Sequence, residues 1–95
     1  MSRVFRGDGK CISIDSNDGV FRFVATRRAI TTIVRGVTRY AGWHWTVETY
    51  RKQGGQFVGV RFPNIKYEFK KRQEVIDHLS TFQCFTEAVA ELKAM

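Results

Sequence analysis

The chain has 95 residues and sets 16 Lys and Arg against 9 Asp and Glu, a formal charge of +7. With 43% apolar and 26% charged residues, one Pro and eight Gly, the composition is that of one globular domain over residues 1–95, not of a disordered or collagen-like chain. No apolar run reaches the roughly 18 residues of a membrane-spanning helix, and the first 25 residues carry four basic groups but no long apolar core, so no signal peptide is read and the expectation is a cytoplasmic protein.

The first segment reads as a hairpin. Val4 and Phe5 precede the turn-rich Gly7-Asp8-Gly9, and Cys11, Ile12 and Ile14 follow. Asp15-Ser16-Asn17-Asp18-Gly19 is a strong turn signal. Val20–Ala25 then reads as a strand with Phe21 and Phe23 on one face.

Residues 26–41 admit two readings. Ile30, Ile33, Val34, Val37 and Ala41 recur with helical spacing, Thr26 suits an N-cap, and Gly42 suits the left-handed position past a helix end. Ile30-Thr31-Thr32-Ile33-Val34 is β-branched throughout and favours a strand. Apolar and polar residues do not alternate there, so the reading adopted is a helix over 27–41, with the strand left open.

Alternation returns with Trp43, Trp45 and Val47, then Val58, Val60 and Phe62, then Ile65, Tyr67 and Phe69, with turns at Gly54-Gly55 and Pro63-Asn64. This predicts three strands over 43–69, a meander whose core face carries those nine side chains. From 71 to 93, Val75, Ile76, Leu79, Phe82, Phe85, Val89 and Leu92 keep helical spacing, and Ser80-Thr81 can divide that helix in two. The expected fold is α+β: a small two-layer domain in which an antiparallel meander packs against two helices.

Charge is unevenly placed. Residues 1–72 carry 15 basic and 5 acidic side chains, a charge of +10, whereas residues 73–95 carry −3. A cationic body attracts polyanions. Three groups stand out. Arg27, Arg28, Arg35 and Arg39 share a segment with no acid, leaving their guanidinium forks free for phosphates. Arg51, Lys52, Arg61, Lys66 and Lys70 surround the meander's open face, where Tyr50 and Phe57 are candidates to stack on bases. Lys70-Lys71-Arg72 stands before a helix N-terminus, where cations are unfavourable, so an anion is expected beside it: Glu74 and Asp77, or a bound phosphate.

Two short stretches add to this. Gly55 to Phe62 resembles the RNP1 strand of RNA-recognition motifs at Phe57, Val60 and Phe62, although it has Gly59 where a second aromatic belongs. Arg35-Gly36-Val37, followed by Trp45 and Glu48, is similar to the opening of plant-type AP2 DNA-binding domains if residues 31–39 form a strand. Both resemblances imply nucleic acid, and neither assigns a role to an individual residue.

Cys11, Cys84, His44 and His78 lack zinc-finger spacing, and neither a phosphate loop nor a hydrolase triad order is present. Neither a metal, a cofactor nor catalysis is expected, and two reduced thiols are, with Cys84 on an apolar helix face. The expectation is a nucleic-acid-binding domain contacting the phosphate backbone of DNA or RNA, with no membrane partner. The alternative is an inhibitor or adaptor, of the kind carried by phages and mobile elements, that docks on an acidic surface of a host protein.

Overall fold

The computed structural model describes residues 3–95. Six strands and two helices follow one another: β1 Val4–Arg6, β2 Cys11–Asp15, β3 Phe21–Val34, β4 Val37–Gln53, β5 Gln56–Gly59, β6 Glu68–Phe69, α1 Arg72–Leu79 and α2 Thr86–Lys93, with a 3-10 turn at Gln83–Phe85 before α2. All strands are antiparallel in the order β1-β2-β3-β4-β5, and β6 also pairs with β4. The molecule is a small α+β domain with its helices at the C-terminal end.

The sheet's inner face follows from parity. Ile12 lies opposite Ala25, Ile14 opposite Phe23, and Ala25 opposite Val47, so these side chains share one face. All are buried with Trp45, Phe69, Val75, Leu79, Phe85 and Leu92 in one core, and the Phe23 and Phe85 rings meet edge to face at 6.2 Å. Both helices therefore cover the same sheet face. The opposite face, with Ser13, Val24, Thr26, Thr46 and Tyr50, is only half-buried.

The helix expected over 27–41 is not formed. Those residues are the outer half of β3, a turn, and the start of β4. Arg35 (φ 52°) and Gly36 (φ 75°) occupy a two-residue turn with both φ values positive, the geometry that matches the twist of a hairpin. The β-branched run Ile30–Val34 lies opposite Val37–Gly42, and strand pairing outweighs the helical spacing. Gly42, at φ 127°, sits at a bulge where Ala41 is the extra residue between the Ile30–Gly42 and Thr31–Tyr40 pairs.

The meander differs too. β5 and β6 are successive pieces along the same edge of β4: β5 pairs with residues 50–53 and β6 with residues 45–46. Between them the chain leaves the edge after the Val60 N–H bond to Thr49 O and returns at the Val47 N–H bond to Tyr67 O. Pro63, which cannot donate to a ladder, stands in this excursion. Thr49 pins it from below, since its hydroxyl donates to Val60 O and lies 3.1 Å from the Tyr67 hydroxyl, which accepts the Phe62 N–H. Of the nine side chains assigned to the core face, Trp45, Val47 and Phe69 are buried, whereas Trp43 and Val58 are exposed.

The C-terminal segment divides after Leu79, at Ser80-Thr81. The turn between β2 and β3 clamps its second half. Asn17 Oδ1 accepts the Glu87 N–H, while Asn17 Nδ2 donates to Gln83 O and Thr86 Oγ1. Gly7 completes the closure, because a Cβ there would lie 2.8 Å from Leu92 Cδ1.

Candidate nucleic-acid interface

β2 accompanies β3 only as far as Thr26, and β6 accompanies β4 only as far as Trp45. Beyond these points β3 and β4 pair with each other alone. Residues 28–44 thus form a two-stranded arm, and they extend a molecule measuring 50 × 31 × 23 Å. Every residue from 31 to 41 is exposed.

The arm's chemistry is one-sided in charge and mixed in polarity. From Arg27 to His44 there are four arginines and no acid. Cross-strand pairs place Thr32 with Arg39, Arg28 with His44, and Val34 with Val37 on the face continuous with the open side of the sheet. The other face carries Ile33, Thr31 with Tyr40, and Arg27, whose guanidinium lies 4.5 Å from the Trp43 ring centre. Tyr40 meets Trp43 edge to face at 5.4 Å. Arg28 Nε donates to Thr46 Oγ1, fixing its stem at the arm's foot. Arg35 stands at the apex.

The other sequence-selected cations are dispersed. Arg51 and Lys52 lie on β4 opposite Phe21 and Phe57, at the end away from the arm. About 12 residues of strand, roughly 40 Å, separate Arg51 from Arg39. Arg61 lies in the excursion with its guanidinium over Tyr67, and Lys66 Nζ lies 5.2 Å from the Phe69 ring centre. Lys66 and Lys70 line a groove of about 540 Å³ at the arm's foot with Ile30, His44, Glu68 and Glu74.

The expected anion beside Lys70-Lys71-Arg72 is Glu74. Its carboxylate accepts the N–H groups of Lys70 and Lys71, and these bonds hold its pKa below the usual carboxylate value. Arg72 donates to Gly7 O, so it ties the helix to the β1–β2 turn.

The two stacking candidates differ in their surroundings. Phe57 lies 3.9 Å from the Arg22 guanidinium, which Phe5 covers from another side at 4.5 Å and Asp15 pairs at 2.8 Å. The Tyr50 hydroxyl donates to Glu48, a bond that raises the phenol pKa. Phe5 is 56% exposed on β1, and the exposed rings on the arm are Tyr40 and Trp43, at 59% and 46%. Sequence reasoning missed both, because the helix reading hid Tyr40 and the alternation with Trp45 drew Trp43 into the core.

Cys11 and Cys84 are both free thiols, and Cys84 is exposed in the 3-10 turn rather than on an apolar helix face. Among the described residues no three His, Cys, Asp or Glu side chains gather as they would around a metal ion. No helix among them is long and apolar enough to cross a membrane. Comparison with protein-family models, curated proteins and solved structures finds no match.

Proposed function

We propose that the chain binds nucleic acid through the β3–β4 arm. The observation that carries this reading is the distribution of arginine over both faces of a thin, acid-free ribbon. Arg28 and Arg39 point to one side, Arg27 to the other, and Arg35 leads from the apex. A groove between two phosphate backbones meets cations on both sides at once, and a two-stranded ribbon fits the roughly 12 Å major groove of B-form DNA. A flat acidic protein surface meets only one side, which is why docking on a host protein is the weaker reading.

Phosphate contacts make binding salt-sensitive. Four contacts lower affinity roughly 100-fold between 50 and 200 mM salt. Gel-shift titrations of Arg35→Glu and Arg39→Glu test this: each substitution is expected to abolish binding at physiological salt and weaken it severely at low salt. Unchanged low-salt binding by both variants overturns the reading. If the native protein retains a stoichiometric protein partner after nuclease treatment, and no nucleic acid co-purifies from untreated lysate, the docking alternative replaces it.

A further inference from the structure

The arm has two chemical zones. Its shank is cationic, and its tip is apolar: Ile33, Val34 and Val37 are 77%, 47% and 58% exposed, around the Arg35-Gly36 turn. Branched apolar side chains held in water at the end of a projection pack against nothing in this chain's core. A partner that is anionic outside and apolar within reach of the tip would engage both zones.

Two kinds of surface have that layering, a bilayer and a nucleic-acid duplex. The ribbon excludes the bilayer. Both its edges carry unpaired backbone N–H and C=O groups, and open strand edges do not occur in hydrocarbon. Arg35 would also enter first, and Arg39 would follow it.

The duplex fits by length. Val34 and Val37 face each other on one side of the tip, and the Thr32–Arg39 pair lies two residues behind them on that side. Two residues of strand span about 7 Å, close to the roughly 7.5–8.5 Å depth of the grooves of B-form DNA. When the tip reaches the floor of a groove, Arg39 is level with the phosphates at its rim. Arg35, at the apex beside the valines, lies along the acceptor atoms of the base edges. A-form RNA has a deep, narrow major groove that side chains cannot read, so DNA is the better match.

We propose that the arm enters a groove of duplex DNA and that Val34 and Val37 press as a wedge into a base step, unstacking it and bending the duplex. This rests on the nucleic-acid reading above and adds the form of nucleic acid and the consequence of binding. Apolar wedges of this kind kink DNA by about 20–90°.

The test is end-to-end energy transfer on a fluorophore-labelled duplex of about 30 base pairs, with the same strand unpaired as competitor. The native protein is expected to bind the duplex in preference to the single strand and to raise the transfer efficiency. The double variant Val34→Ser, Val37→Ser changes only exposed positions; it is expected to bind within about tenfold of the native affinity, with the same salt slope, and to leave the transfer at the free-duplex value. Arg27→Ala with Arg39→Ala is expected to lose binding. If the native protein binds without changing the transfer, if the serine variant bends DNA as the native protein does, or if the single strand is preferred, the wedge is overturned while nucleic-acid binding stands. If the native protein binds neither form, both readings fall.

Discussion

His78 shows how one side chain can govern the pH range in which the fold is secure. Its Nε2 accepts the Lys66 N–H at 3.1 Å, and its ring packs against Phe69 and Phe82 at 5.3 and 5.1 Å. Burial, and then the Lys66 charge, push its pKa below the ordinary histidine value. The unfolded chain, with a pKa of about 6.5, takes up the proton first. The stabilisation is therefore complete above that value and is lost as pH falls through the folded value. Asp8, Asp18 and Glu74 have lowered pKa values, and their contribution disappears only in more acidic solution. Urea midpoints are thus expected to fall between pH 7.5 and pH 5, and His78→Gln is expected to flatten that dependence. An equal slope in the variant removes His78 from the explanation.

At the scale of the element, the arm and the body of the sheet obey different rules. The inner halves of β3 and β4 have one face on the core, and burial enforces the alternation that makes them legible: Phe23 and Ala25 point in with Val47, while Val24 and Thr46 point out. The arm has no buried face, so nothing selects alternation in Ile30–Val34, and the absence of alternation says nothing against a strand. That is why the helix was the wrong reading of 27–41, although the β-branched composition already pointed to strand. Trp43 illustrates the complementary error. It shares parity with buried Trp45, but cover ends one pair too soon. The four arm arginines were legible as a group because an acid-free basic segment shows in any conformation. The dispersal of Arg51, Lys52 and the excursion cations was not, since it depends on how β5 and β6 divide one edge. An arm with no buried residues contributes little to global stability. Replacing residues 31–41 by Asn-Gly, which suits the same turn type, is expected to change unfolding free energy by less than about 1 kcal/mol while abolishing nucleic-acid binding. A loss of several kcal/mol in urea titration would show that the arm belongs to the cooperative unit.

Across the whole molecule, the −3 segment and the +10 body are joined by specific contacts. Glu91 accepts the Arg3 N–H, and Glu87 pairs with the Arg3 guanidinium at 3.0 Å. Glu87 and Glu91 thus serve closure of the domain at the end of the chain, away from the arm. Asn17 is the main polar bridge between the sheet's turn and α2, since it satisfies the helix-start N–H of Glu87 from 70 positions away in sequence. Asn17→Ala is expected to lower unfolding free energy by about 1–2 kcal/mol, with an unchanged denaturant slope. An unaltered midpoint would mean that apolar packing alone holds α2.

The body of the sheet is guarded at both rims, by a three-residue β1 on one side and by the Pro63 excursion on the other. The arm is not. Its bare strand edges are templates on which another ribbon can add, and like charge on its arginines keeps ribbons apart. A polyanion neutralises that charge as it binds. On the function proposed above, a polyanion seated on the arm would also remove the barrier between arms, so neighbouring molecules on one duplex would join edge to edge and occupancy along it is expected to be cooperative.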